Sequence, residues 1–414
     1  MAKKCKINRK YFSDLYEEKK LILIRQQVNN LYFKYGLSKS SIMEKEGVSK
    51  PFVIRWTQSP DQDFDQDDRG WSKGKARLFS PDMVQQVLSI HSSLVADPHN
   101  FFTGATAVLQ EWRVRYPEQA SPSLRSVGRI LKGHGLTKPQ KPRSKGAAAY
   151  LCYPEHTIYN EHNGRVLEAD FIGKKYIHGR SAPINFIGFS FKKEPRLRYF
   201  ERIDSQSALC FIKHTDQFFE AFETPQYIKV DNALAMIGSA SGKRNISSSM
   251  LFLLNRHVVP IFAVPRKPFS QASIEGNNSV FARFFWNQRE FSTLRNIDEE
   301  LYWFNQSSLK YTGYKKSEES GGITSGIFVP EVMFIRQVKE TGGAGTIDVL
   351  NESIQLESDY INYFVLARWS LQEEKIRVFL EKENRSELIA EFQFKLSLNS
   401  LKKIKQKGKL SFDL

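Results

Sequence analysis

The sequence predicts a multidomain α/β protein: helical helix-turn-helix units at the N-terminal end, a mixed α/β domain in the centre and a small β-barrel near the C-terminal end. Three observations predict this. The 414 residues exceed one ordinary domain and suit roughly three or four. Apolar residues recur at helical spacing up to about residue 136, and from Val166 the pattern becomes short strand-like runs. Hydrophobic residues at 41% and aromatics at 13% supply core material for folded domains, which argues against long disorder.

Residues 1–60 read as a first helix-turn-helix domain. Ser41 to Glu46, Gly47 and Ser49 to Trp56 give helix, glycine turn and helix, with Ser49 placed to cap, Pro51 in the first turn and Val53 and Trp56 on a core face. Lys50 and Arg55 then project from the second helix. Residues 61–76 are an acidic linker. Its alternating aspartates do not make a calcium loop, because Gln66 stands where glycine is needed and Ser72 where the bidentate glutamate belongs. Residues 77–136 form a second helical unit of helix-turn-helix type. Its last helix begins after Ser121-Pro122-Ser123, stops at Gly133-His134-Gly135 and carries Arg125, Arg129 and Lys132 near one side. Residues 137–150 are a basic, proline-containing linker.

Residues 151–328 alternate as a mixed α/β layer. Strands are expected at 166–171, 184–189, 198–203, 227–231 and 261–264, with helices over 208–222, near 249–255 and from Ser273. Residues 329–396 offer five further strands, at 332–338, 345–349, 359–366, 375–380 and 388–394, spaced for a small barrel. Residues 397–414 are a lysine-rich tail, whose ordinary reading is a solvated terminus.

The net charge of +16 and pI near 9.5 point to a polyanionic partner. Residues 1–150 hold 26 Lys and Arg against 14 Asp and Glu, so most of the excess lies on the helical units and places the docking surface there. Cys5, Cys152 and Cys210 form no CxxC pair, and the eight histidines are scattered. A disulfide framework and a Cys/His zinc module are therefore both unsupported. No apolar run reaches the ~18–20 residues of a membrane span, nor is there a signal-peptide core. These features predict a soluble intracellular protein without membrane partners, cytoplasmic and, in a bacterium, nucleoid-associated.

Three carboxylates stand at element ends. Asp170 ends or nearly ends the first strand, Asp231 ends the fourth, and Glu275 lies in the first turn of the helix after Pro268-Phe269-Ser270-Gln271. Each has an ordinary structural role open to it: a strand-end turn, an Asx turn at Asp231-Asn232, and a charge at a helix N-terminus. Glu168, on the strand face of Asp170, and Asp204, at the end of the third strand, are alternative acids.

The run from Asp170 through Ile228-Lys229-Val230-Asp231-Asn232 to Ser273-Ile274-Glu275-Gly276-Asn277-Asn278 resembles the retroviral-integrase-like transposases, the DDE group with an RNase H-like catalytic domain. Helix-turn-helix units before it and a small barrel after it extend the resemblance to bacterial insertion-sequence and phage-type transposases. In that family the two aspartates and the glutamate hold two divalent ions, magnesium or manganese, and an asparagine three residues after the glutamate belongs to the pattern; Asn278 matches it. The resemblance implies cleavage of element ends by water, then joining to target DNA by the released 3′-hydroxyl. It also implies a homo-oligomer on paired ends of double-stranded DNA. Lys50, Arg55, Arg125, Arg129 and Lys132 would contact that DNA, and Asn278 and Arg283 would position the substrate. The chain departs from the family at Ala233, where glycine is frequent, in a longer interval between Asp231 and Glu275, and at Ala282, where a basic residue is common and Arg283 stands one step on. Two other readings share the residues: a catalytically inactive, domesticated DNA-binding regulator, and an RNase H-like nuclease that does not join.

Overall fold

The computed structural model describes residues 20–64, 80–137, 153–154, 165–238, 242–314, 328–382 and 385–406. The chain divides into two compact units, Met1–Ser80 and Pro81–Leu414.

The first unit contains α1 (Lys20–Phe33), α2 (Lys39–Glu46) and α3 (Lys50–Trp56). Ser38 caps α2 by accepting the Ser41 N–H, and Gly47 ends it at φ 64, the left-handed conformation that glycine adopts without steric cost. Ser49 takes the N-cap position of α3, but its side chain makes no capping bond. Val28, Ile42, Val53 and Trp56 close a small core, and Phe64 packs on it, so the start of the expected acidic linker folds back on the helices. Arg25 reinforces that fold: it donates to the Phe64 carbonyl at 2.7 Å and lies 4.4 Å from the Trp56 ring centre. Residues 65–79 of the linker lie outside the described residues.

The second unit begins with α4 (Pro81–Ala96), α5 (Ala105–Arg115) and α6 (Leu124–Gly133). Ser123 caps α6 by accepting the Ser126 N–H, and Gly135 leaves it at φ 72. The sequence expected this three-helix unit to be a domain of its own, but its core is shared. Val87, Val108, Trp112 and Val127 belong to one apolar cluster with Phe186, Phe200, Phe281, Phe285 and Phe304 of the α/β region. Polar contacts follow the same seam: Lys310 pairs with Glu111 at 2.7 Å, and Arg289 donates to the Pro98 carbonyl at 2.7 Å.

The α/β region comprises β1 (Val166–Lys175), β2 (Ile184–Phe191), β3 (Leu197–Ile203), α7 (Ala208–Ala221), β4 (Tyr227–Val230), α8 (Leu234–Ile237), α9 (Ser248–Asn255), β5 (Val259–Phe262), α10 (Ala272–Phe281) and α11 (Leu294–Thr312). Strands β1 to β3 form an antiparallel meander; β4 and β5 join β1 in parallel. That is the mixed layer the sequence predicts, with β2 buried along its whole length as a strand covered on both faces must be. The added α8 fills part of the long interval between Asp231 and Glu275; residues 239–241 of that interval lie outside the described set.

The remaining elements are β6 (Glu331–Gln337), β7 (Lys339–Thr341), β8 (Ala344–Val349), β9 (Glu352–Leu356), β10 (Phe364–Ser370), β11 (Lys375–Lys382), β12 (Arg385–Gln393) and α12 (Leu398–Gln406). The strands expected as a separate barrel over 329–396 divide between two sheets. Strands β6, β10, β11 and β12 extend the central sheet to nine, in the order β12-β11-β10-β6-β5-β4-β1-β2-β3, while β7, β8 and β9 form a second sheet. The link is the parallel ladder Ile261↔Met333 and Phe262↔Phe334. Ile347, Val349 and Ile354 of the smaller sheet pack in one cluster with Phe334, Val365, Trp369 and Val378 of the larger, as the inner faces of two stacked sheets do. The strand expected at 359–366 begins later, at Phe364, because Asn362 takes a left-handed turn at φ 71. The tail is not wholly a solvated terminus: α12 buries Ser400 and Ile404, four residues apart and so on one face, and Ser400 accepts the Ile246 N–H at 2.8 Å. Residues 138–150 and 407–414, parts of the expected basic linker and tail, lie outside the described residues.

Candidate active site

Strand register brings the two aspartates together. The parallel ladder Val166↔Tyr227, Leu167↔Ile228, Glu168↔Lys229, continued two residues, sets Asp170 level with Asp231 on neighbouring segments. Adjacent strands lie about 4.8 Å apart, so the two carboxylates leave the sheet side by side. Asp170 does not end its strand, as the sequence suggested; it sits mid-strand, because β1 runs on to Lys175. Asp231 follows the last residue of β4, at the carboxyl edge where open α/β sheets place ligands. Its Oδ1 accepts the Ala233 N–H at 2.9 Å, so it also makes the Asx turn.

Helix α10 supplies the third carboxylate from above the sheet. Glu275 lies in its first turn, and one turn later the Asn278 amide donates to Asp170 Oδ2 at 2.9 Å. Three further bonds fix the helix. Glu168, buried on the Asp170 face of β1, accepts the Ile274 N–H at 2.8 Å, and Asn277 donates to Ser190 while accepting from Arg198 Nε at 2.8 Å. Glu168 thus has a structural role that answers why a second acid occupies that strand face. Asp204 is exposed at the end of the edge strand β3, 3.9 Å from Arg202.

The electrostatics of the cluster are those of buried carboxylates that repel one another. Burial pushes Asp170 up to about 7, and the charges of Asp231 and then Glu275 add to the rise; the Asn278 and Phe171 hydrogen bonds act against it. Burial likewise raises Asp231, and burial plus the Glu168 charge raises Glu275. Asn278 Oδ1 is buried and has no hydrogen-bond partner among the described residues. Among the described residues no three His, Cys, Asp or Glu side chains stand in the arrangement of a metal site, although Asp170 feels the charges of Asp231 and Glu275. The donor chemistry nonetheless fits a hard divalent cation, since carboxylate oxygens and an amide oxygen are the ligands such ions take.

Gly188 keeps room for this arrangement. It pairs with Asp170 across β1 and β2, and a Cβ there would come within 3.0 Å of the Phe200 ring and 3.3 Å of Asn278 Oδ1. Gly188→Ala is expected to destabilise the fold by about 1–3 kcal/mol through overpacking, read by denaturant unfolding. It should also raise the Asp170 pKa further, read by carboxyl NMR, because Asn278 is pushed from its donor position.

The other predicted residues are exposed, except Arg55. Arg283 lies in the π-helical turn Ala282–Trp286 that continues α10, its guanidinium 5.5 Å from the Phe284 ring centre. Arg125, Arg129 and Lys132 are exposed on α6 opposite the buried Val127 and Leu131, a basic face with helical spacing. In the first unit Lys50 is exposed at the start of α3, while Arg55 is half-buried with its guanidinium 5.4 Å from the Trp56 ring centre.

Sequence reasoning missed Arg198, whose bond to Asn277 sets a cation beside α10, although burial and the charges of Arg196 and Arg283 depress its pKa. It also missed the buried Arg336, which holds Asn232. Neither had a local signal, because a basic residue in a strand shows its partner only once the sheet order is known.

No protein-family model and no curated protein matches the sequence. Among solved structures, one chain of the simian T-cell lymphotropic virus intasome in complex with PP2A regulatory subunit B56 gamma aligns with a TM-score of 0.31 and 11% identity, covering 66% of this chain and 97% of that one. A likeness that low assigns no function.

Proposed function

We propose that this chain is a polynucleotidyl transferase of the DDE transposase/integrase kind, which cuts and joins double-stranded DNA with divalent metal. The observation that carries this reading is the gathering of Asp170, Asp231 and Glu275 from β1, β4 and α10, close enough that Asp170 is held near 7 by burial and by the other two acids. Such a cluster is costly unless a cation joins it. Asp170, Asp231 and Glu275 would hold two magnesium or manganese ions, which when bound supply an activated oxygen nucleophile and stabilise the leaving oxygen in in-line displacement at phosphorus.

The protein's own groups have the remaining roles. Asn278 fixes the Asp170 carboxylate through its 2.9 Å bond, and the Phe171 backbone adds a second hydrogen bond to the same group. Arg283 and Arg198 add positive charge beside α10, where a phosphate backbone would run. The cut strand ends in a 3′-hydroxyl that attacks target DNA in turn, and no side chain forms a bond to DNA. The basic face of α6, with Lys50 and Arg55 of the first unit, is assigned to the element ends, and pairing of two ends calls for at least two copies of the chain.

The test is incubation of the full chain with magnesium and end-labelled duplexes copied from the DNA flanking its gene. Nicks ending in 3′-hydroxyls, followed by joined products, support the reading; both should vanish in EDTA. Binding without a metal-dependent product would point to an inactive regulator, and cutting without joining to a nuclease. For the α6 face, Arg129→Ala should weaken duplex binding similarly across sequences and reduce the log–log salt slope by about 1, the signature of one lost phosphate contact. An unchanged slope would remove Arg129 from the interface.

A further inference from the structure

Arg336 is buried in β6, outside the α/β segment that carries the three acids. Its guanidinium spans four places. Nη2 donates to Asn232 Oδ1 at 3.0 Å, Nη1 to the carbonyls of Ala263 at 3.1 Å and Ile335 at 2.9 Å, and Nε to the Asp348 carbonyl of β8 at 2.8 Å. Asn232 returns the contact by donating its amide to the same Ala263 carbonyl at 2.6 Å. The orientation of that amide is thereby fixed: its oxygen faces an arginine donor and its nitrogen a carbonyl, and a flip would break both bonds. Asn232 directly follows Asp231, and Ala263 directly follows β5, with its N–H on the Val230 carbonyl at 2.9 Å. The turn that presents Asp231 is therefore clamped from the strands that the sequence assigns to a separate domain.

Resting on the proposed transferase reading, we infer that Arg336 is a positioning residue for Asp231, acting through Asn232, and that the C-terminal sheets are a structural part of the active site. Only arginine suits this position. Its planar fork reaches several acceptors at fixed angles, whereas a lysine ammonium would be a point charge without that geometry. Burial lowers the guanidinium to about 10, so it stays charged at neutral pH. A residue that served only to glue the sheets would have no need to engage the Asn232 side chain.

The experiment uses the full chain with Arg336→Lys, Arg336→Met, Asn232→Ala and the double variant Asn232→Ala/Arg336→Met. Turnover on DNA with magnesium, duplex affinity in EDTA, and the affinity for manganese(II) alone by calorimetry are compared. Both Arg336 variants and Asn232→Ala should lose roughly 10- to 100-fold in turnover and in manganese affinity, as loss of a group that orients a metal ligand does, with duplex affinity kept. The double variant should be no worse than the poorer single one, because both remove the same clamp. Should Arg336→Met fold poorly, Asn232→Ala, with Arg336 in place, decides alone: unchanged turnover and manganese affinity overturn the inference, as do single effects that multiply in the double variant. A wild-type chain that neither binds manganese nor cuts DNA overturns the transferase reading itself and the inference with it, a result distinct from an active wild type with an equally active Arg336→Met.

Discussion

Asp231→Asn is expected to lower metal-dependent DNA cleavage by about a thousandfold or more while leaving duplex affinity in EDTA unaltered. Asparagine keeps the shape of the side chain and an oxygen that can accept the Ala233 N–H, so the Asx turn and the end of β4 survive. What is lost is one negative charge at the point where charge would hold a cation. A metal contributes several kcal/mol to stabilising a phosphoryl transition state, and each ~1.4 kcal/mol is tenfold in rate, so losing a principal ligand amounts to about three orders of magnitude. Removing the Asp231 charge also removes one cause of the raised Asp170, whose pKa should fall towards the ordinary range. Gel assays with labelled duplexes measure the first effect and carboxyl NMR the second. Retained cleavage in Asp231→Asn would mean that Asp231 serves the turn alone.

The fold and the site were legible to different depths. Periodicity, the Gly47 stop and the serine before the last helix of the second segment marked helices in both N-terminal segments, since such signals act through adjacent residues; Ser49, expected to cap, makes no capping bond, and Ser38 caps instead. The mixed α/β layer was readable for the same reason. What periodicity could not show was which apolar faces meet. Phe101 and Phe102 lie 5.2 and 5.7 Å from Phe304 between ring centres, and only such contacts show that the second helical unit merges with the α/β core. The C-terminal strands had the alternation of a barrel, yet alternation says nothing about the neighbour, and two residues of ladder between β5 and β6 place them in the central sheet. At the candidate site, Asp170, Asp231, Glu275 and Asn278 could be named through the resemblance to the DDE group, since each acid also had an ordinary structural role open to it. Glu168 was visible as an ambiguity, which its bond to the Ile274 N–H explains. Arg336 was invisible, being 104 residues from the Asn232 it holds.

Asp170→Asn separates the charge of the site from its shape through pH. Asp170 is held up to about 7 in the folded chain against an ordinary value of 3.8. Below pH ~4 the group is protonated whether the chain is folded or not, and the substitution should change stability little. Between ~4 and ~7 the unfolded chain releases the proton while the folded chain keeps it, so wild-type stability declines as pH rises, and above ~7 the full penalty remains. The asparagine variant does not titrate at this position. In metal-free buffer it should therefore gain on wild type across that window and be more stable by about 2–4 kcal/mol at pH 8, read by urea unfolding at each pH. Magnesium or manganese should reverse the order, because a cation that binds the ionised cluster stabilises the folded wild type and finds no such cluster in the variant. Parallel stability curves for the two proteins from pH 4 to 8 would show that Asp170 ionises as an ordinary carboxylate and does not share a site with Asp231 and Glu275. A gain on wild type that metal fails to reverse would show acids gathered for the fold alone. Only the crossing of the two curves on adding metal fits a carboxylate set kept strained so that a cation can complete it.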